Sequence, residues 1–268
     1  MKRRPTRPPE RRSSQACVRE KALDPGPCAS RGDTRAYSSA TRPTAAQPTP
    51  ASIGAVSEPP HDPLRMYLVI RRGAFDDLAT AAELTGAAAV KCVREFADDP
   101  DLLAWRPRPG KVVLRARGGQ WPELLESEPH AAAGTDVVAL PPRRRSQRSP
   151  LLQRMQAMTS ELSPPPPDAP ARPGALTYLV NPRLEMSSGK TLAQIAHAAV
   201  IAADGGELED WVANGCPART IAPSQARFDS LCDDSRLAAR VEDAGLTEVP
   251  PGTITVVALA SGRDLLRP

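Results

Sequence analysis

Ser163–Pro173 (SPPPPDAPARP) constrains this chain more than any other stretch. Six of its eleven residues are proline. Proline removes backbone donors and fixes φ, so neither a helix nor a central strand can run through it. Residues 163–174 therefore read as a Pro-rich linker, with separate structure on either side. Upstream, Met66–Arg71 (MYLVIR) and Lys111–Arg117 (KVVLRAR) read as strands around an Ala-rich helix at Ala79–Phe96. Asp136–Leu140 (DVVAL) is a further strand, and Leu151–Glu161 has helical spacing. Downstream the order recurs: strand Leu176–Val180, helix Leu192–Ala203, strand Ala218–Ala222, short helix Ser224–Leu231, extended Leu237–Glu242 and strand Thr253–Leu259. Trp211 follows the second long helix as Trp105 follows the first. MYLVIRR set beside TYLVNPR, and DVVALPP beside TVVALAS, suggest a strand-for-strand internal repeat. The expected fold is α/β, a small mixed β-sheet flanked by helices, present twice in tandem over residues 63–162 and 175–268.

Residues 1–62 lack hydrophobic periodicity and are rich in Pro, Arg, Ser, Thr and Ala, so they read as a disordered tail. A basic arm holding RNA through Arg3, Arg4, Arg7, Arg11 and Arg12 is one alternative; a protein that starts at the in-frame Met66 is another. No run approaches ~18 consecutive apolar residues, so no membrane span is expected. No apolar stretch follows the basic N-terminus as a secretory signal would require, and the chain reads as cytoplasmic. Five cysteines, an odd number without a CxxC pair, suit a reducing compartment and form no metal-ligand pattern. No cofactor is called for.

The net charge of +4 is unevenly spread. Residues 1–62 hold eleven Lys and Arg against six Asp and Glu, whereas residues 176–268 hold eight against twelve. A nucleic-acid reading cannot rest on charge when the C-terminal half is acidic.

The richest stretch for chemistry is Met186-Ser187-Ser188-Gly189-Lys190-Thr191, between strand and helix. Gly-Lys-Thr is half of a phosphate-binding P-loop, but the glycine required five places before Gly189 is Leu184. A second reading takes in more residues. Gly189-Lys190, Ala193-Gln194 and His197-Ala198 are joined near the C-terminus by Asp243-Ala244-Gly245, Thr247 and Pro251-Gly252-Thr253, which runs into an apolar strand.

These two motifs, in order and each beside its strand, resemble the signatures of type 2 peptidyl-tRNA hydrolases over about residues 176–260. The resemblance implies hydrolysis of the ester of peptidyl-tRNA, releasing peptide and free tRNA. Such chemistry needs an oriented water and a stabilised oxyanion. Lys190 supplies a cation, Asp243 orients it or accepts a proton, and Thr247 and Thr253 offer hydroxyls. Gly189 and the helix N-terminus favour an anion, and Gln194 and His197 lie one turn apart on the same helix. For His197, mid-helix among alanines, a packed, hydrogen-bonded role is the stronger reading. The rival is a non-catalytic member of the fold that binds tRNA or a protein, distinguished by whether Lys190, Asp243 and Thr253 converge in one cleft.

Two positions depart from the family pattern. Ser188 replaces a loop lysine and Leu246 an arginine, which weakens the expected grip on RNA. The first copy is degenerate: its loop, Arg72–Asp77, has no Gly-Lys, and its helix offers Glu83 and Gly86 in place of Gln and His. Such hydrolases are commonly dimers, so the first copy is a candidate replacement for a second subunit. Its basic run, Arg143, Arg144 and Arg145, is then a candidate source of phosphate contacts.

Overall fold

The structure, a computed structural model, describes residues 62–159, 162–234, 237–245 and 247–260. The readings of residues 1–62, Asp62 apart, and of Leu246 fall outside the described residues. In chain order the N-terminal half contains β1 (Arg65–Arg71), α1 (Leu78–Glu95), α2 (Pro100–Trp105), β2 (Gly110–Ala116), α3 (Gln120–Ser127), β3 (Ala131–Ala133), β4 (Val137–Arg143), α4 (Pro150–Arg154) and β5 (Gln156–Ala157). The C-terminal half contains β6 (Leu176–Val180), α5 (Ser188–Asp204), α6 (Glu209–Ala213), β7 (Ala218–Ile221), α7 (Gln225–Cys232), β8 (Leu237–Asp243) and β9 (Thr253–Ala260).

Met66, Leu68 and Ile70 of β1 face one side and Tyr67 and Val69 the other, all buried. A strand apolar on both faces belongs inside a sheet covered on both sides. The first sheet runs β3-β4-β1-β2-β5 and the second β7-β6-β9-β8. β1 pairs parallel with β2 and antiparallel with β4, as β6 pairs parallel with β7 and antiparallel with β9. Both sheets are mixed and share that arrangement around the central strand.

α1 and α5 lie side by side between the sheets. Each packs on its own sheet and also reaches the other half, α1 against β7 and α5 against β2. A helix enclosed in this way must be apolar nearly all round, and small side chains let the layers approach. That accounts for the alanines. At Gly86 a Cβ would come within 2.9 Å of the Tyr178 hydroxyl and 3.3 Å of the Ala199 Cβ. Trp105 and Trp211 make equivalent bonds: Trp105 Nε1 donates to the Gly110 carbonyl at 2.7 Å and Trp211 Nε1 to the Pro217 carbonyl at 2.8 Å. Outside the first sheet, α3 and α4 lay Trp121, Leu124, Leu151 and Leu152 over Tyr67, Leu114 and Leu140. Outside the second, α7 lays Phe228 over Leu179, Ile221 and Val257.

Four expectations need correction. Leu68 pairs with Ala139 and Tyr178 with Ala258. Matching those alanines matches Leu68 to Tyr178, one residue away from the setting of MYLVIRR on TYLVNPR. The helix caps follow the same spacing: Asp77 accepts from the Thr80 N–H and Ser187 from the Lys190 N–H. Thr80, Leu84 and Ala87 therefore stand where the second half has Lys190, Gln194 and His197, rather than Glu83 and Gly86. Second, the helix expected over 151–161 stops at Arg154, because the open edge of β2 takes up Gln156–Ala157 as β5. Third, α5 starts at Ser188, so Lys190 belongs to its first turn. Fourth, the proline segment does not hold the halves apart. It runs along β7, where the Pro166 carbonyl accepts from the Ala222 N–H at 2.8 Å and Arg172 bonds both the Ala218 carbonyl and Glu83. One core contains inward residues of both sheets and of both long helices.

Candidate active site

β6 ends at Val180, and Asn181 ties the following loop to β9 by donating Nδ2–H to the Ile254 carbonyl at 2.8 Å. The Ser187 hydroxyl accepts from the Lys190 N–H, starting α5. Glu248 accepts from the Ser187 N–H and hydroxyl, each at 2.7 Å. The anion-favouring place at the helix start is thus filled by a carboxylate of the chain itself. β8 ends at Asp243, opposite Thr253. Gly245, at φ +73°, turns the chain sharply, and a Cβ there would lie 2.5 Å from the Pro251 nitrogen.

This geometry brings Lys190 and Asp243 together as an ion pair whose side chains are 12% and 8% exposed. Lys190 Nζ also donates to the Thr247 hydroxyl at 2.9 Å. An ammonium has three donors, so one remains for a ligand. Asp243 Oδ2 also accepts from Gln194 Nε2, and Oδ1 accepts from the Gly245 N–H at 2.8 Å. Burial would raise the Asp243 carboxyl. The Lys190 hydrogen bond, the Gly245 N–H, the Lys190 charge and Gln194 outweigh it and hold the carboxyl below the ordinary 3.8. A carboxylate so stabilised is a poor base and a good positioning group for the ammonium.

Lys190, Asp243, Thr247, Gln194, Gly189 and His197 all line a cleft of about 580 Å³. Thr253 does not line it; its hydroxyl donates to the Pro250 carbonyl at 2.7 Å. Of the expected trio only Lys190 and Asp243 meet in the cleft; Thr247 stands in place of Thr253, and Gln194 is a fourth member. Gly189 packs against the N-terminal half, where a Cβ would sit 2.3 Å from the Met158 carbonyl oxygen. Ser188 is buried beside it, accepting from the Leu162 N–H at 3.3 Å, so a lysine there would point into covered space. His197 forms no hydrogen bond with described residues, contrary to expectation. Burial, then the charge of Lys111, push it down to about 3 against a weaker pull from Asp243, leaving a neutral ring at the cleft wall.

The basic run lies elsewhere. Arg143 is paired with Glu128 at 2.6 Å, Arg144 donates to the Asp62 carbonyl at 2.7 Å, and the Arg145 N–H donates to Asp62 Oδ1 at 2.9 Å. None of the three lines the cleft. The far wall instead carries Arg65, Arg108 and Lys111, which sequence reasoning missed. No motif marks them, since they meet the site only because α5 packs on β2. Glu248 was also missed, although it adjoins Thr247 in the second motif. Burial draws the Lys111 ammonium down to about 7, with Asp204 opposing. Among the described residues no His, Cys, Asp or Glu group is arranged to hold a metal ion.

A family model described as peptidyl-tRNA hydrolase PTH2 matches residues 175–265. Peptidyl-tRNA hydrolase of Thermococcus sibiricus is 34% identical over 97 residues, covering 32% of this chain and 82% of that protein. The enzyme of the same name from Methanopyrus kandleri is 32% identical over 93 residues, 30% of this chain and 78% of the relative. That of Sulfolobus acidocaldarius is 30% identical over 105 residues, 33% of this chain and 88% of the relative. No solved structure matches the chain at a significant level.

Proposed function

The chain belongs to the type 2 peptidyl-tRNA hydrolase family, and from that premise we propose that it hydrolyses the ester between a peptide and the 3′-terminal ribose of tRNA. The observation that carries this reading is the meeting of Lys190, Asp243, Thr247 and Gln194 at one cleft, from two motifs about fifty residues apart.

Asp243, fixed by Gln194 and the Gly245 N–H, holds the Lys190 ammonium toward the cleft. As water adds to the ester carbonyl, negative charge grows on its oxygen, and the remaining Lys190 donor stabilises that charge in a partly buried site. The Thr247 hydroxyl accepts from Lys190, so its own proton is free to orient the attacking water or the carbonyl. Collapse of the tetrahedral intermediate breaks the bond to the ribose oxygen, which takes up one proton of the attacking water, and leaves the peptide carboxylate as the other proton passes to solvent. No covalent intermediate on the protein is needed. Thr253 serves from behind, closing the Pro250–Thr253 turn that carries Asp243's partner strand.

The two halves are read as a tandem duplication in which the first keeps the fold and not the site. Supporting this are the shared sheet order, the two equivalent tryptophan bonds and the caps at Asp77 and Ser187. The first half then stands where a family dimer has its second subunit, and the enzyme works where tRNA does, in the cytoplasm.

The test is release of free tRNA from a short peptidyl-tRNA by the full chain beside Lys190→Ala and Asp243→Ala. The wild type is expected to turn over and Lys190→Ala to lose about a hundredfold to a thousandfold in kcat. Full activity of Lys190→Ala would sink the mechanism. A wild type that binds tRNA without cleaving it would leave only the fold.

A further inference from the structure

The cleft has two walls of unlike charge. From the C-terminal half come Lys190 and three carboxylates, Glu242, Asp243 and Glu248. Asp243 is committed to Lys190 and Glu248 to Ser187. From the N-terminal half come Arg65, Arg108 and Lys111, and no carboxylate of that half lines the cleft.

Elsewhere in the described residues several arginines pair with acids, Arg71 with Asp136, Arg94 with Glu209, Arg106 with Asp204 and Arg172 with Glu83, and others bond oxygens of the fold, Arg219 with Thr177 and Arg144 with the Asp62 carbonyl. The guanidinium groups of Arg65 and Arg108 form no ion pair with a described residue. Lys111 donates to the Pro109 carbonyl at 3.2 Å and sits 4.7 Å from the centre of the Trp105 ring, which fixes its direction without neutralising it. Arg65 and Arg108 stand on one wall unneutralised within the fold, and Lys111 beside them, drawn down to about 7 by burial, gains its proton when an anion approaches. Such a wall is unfavourable unless an anion comes between its cations. The anion must reach along the start of β2 from Arg65 and Arg108 to Lys111, across the cleft from Lys190.

We propose that the N-terminal half supplies the phosphate-binding wall of this cleft, with Arg65, Arg108 and Lys111 holding the phosphodiester backbone of the substrate's 3′-terminal nucleotides. The ester then lies across the cleft at Lys190 and Asp243. This rests on the hydrolase reading and adds to it where the RNA is gripped and by which half. It also accounts for Ser188: the cation lost from the loop, at a position now covered by Leu162, is replaced from the opposite wall.

The test uses the full chain, with Arg108→Gln on an exposed loop and Arg65→Gln/Arg108→Gln. Arg154→Gln, outside the cleft, is the control. Affinity for deacylated tRNA is followed from about 50 to about 200 mM KCl, and KM and kcat are measured on an N-acetylaminoacyl-tRNA. Arg108→Gln is expected to raise Kd and KM roughly tenfold, with a much smaller change in kcat. It should flatten the slope of log Kd against log salt by about 0.7, and the double variant by about twice that, the value for single-stranded contacts. The control should behave as wild type. Unchanged slope and KM in both cleft variants would overturn the proposal and leave the wall to another partner; so would a fall in kcat alone. The two readings fail separately. A wild type that releases no tRNA but whose binding slope flattens in Arg108→Gln keeps the wall and loses the hydrolase. A wild type that turns over, with variants of unchanged KM, keeps the hydrolase and loses the wall.

Discussion

Asp243 accepts three hydrogen bonds on two oxygens while almost fully shielded from solvent, so its partners decide what it can do. Removing one member of a shielded pair leaves an uncompensated charge, which costs about 3–5 kcal/mol. Lys190→Met should therefore lower stability in chemical denaturation by about 3 kcal/mol, and Lys190→Met/Asp243→Leu should recover most of it. Neither variant should release tRNA, which separates the pair's structural from its chemical part. His197 gives a pH prediction. Its folded value, about 3, lies below its ordinary 6.5, so between these the unfolded chain binds a proton that the folded chain does not. Stability must then fall as pH drops from 6.5 toward 3. Asp243, held below 3.8, adds its own loss only under that value. His197→Leu should move the acid-unfolding midpoint, followed by circular dichroism, to lower pH; an unmoved midpoint would assign the acid limit to carboxylates. Lys190, Asp243 and Thr247 were legible in the sequence because each lies within a motif, Lys190 in the first turn of α5 and the other two at and just after the end of β8. Arg65, Arg108 and Lys111 were not, because nothing local says which sheet α5 packs against.

At the scale of elements, the start of α5 is pressed onto the segment after β5. A Cβ on Gly189 would meet a backbone oxygen, which cannot rotate away as a side chain would. Gly189→Ala should therefore lower stability by about 1–3 kcal/mol despite alanine's better helix propensity. It should also raise KM, because the shift moves Lys190 relative to the first half. A more stable variant with unchanged kinetics would contradict that packing. Existence and type of the long elements were readable from apolar pattern, but the register between β1 and β6 was not. Both strands are buried on two faces, so neither shows the polar alternation that pins register, and a slip of one residue looks equally apolar. The stop of α4 at Arg154 was hidden for a related reason: Gln156 and Ala157 join a strand edge that no local signal announces.

The whole molecule is held by what the halves share. The proline segment was visible as a break, but a break in secondary structure is not a break in the core. α1 and α5 bury their flanks on each other, α5 also covers β2, and α1 covers β7. Residues 163–268 expressed alone would bare the face of α5 that meets α1, together with Tyr178, which lies under Gly86. Exposed apolar surface of that extent drives association. In sedimentation this fragment should therefore run as a dimer or larger species, without a stable monomer. Its tRNA release should fall well below that of the full chain, because Arg65, Arg108 and Lys111 are gone from the cleft. Co-expression with residues 62–162 should restore a one-to-one complex and its activity. A folded, fully active monomer of residues 163–268 would mean that the first half is dispensable to both core and cleft, and would overturn the joint site.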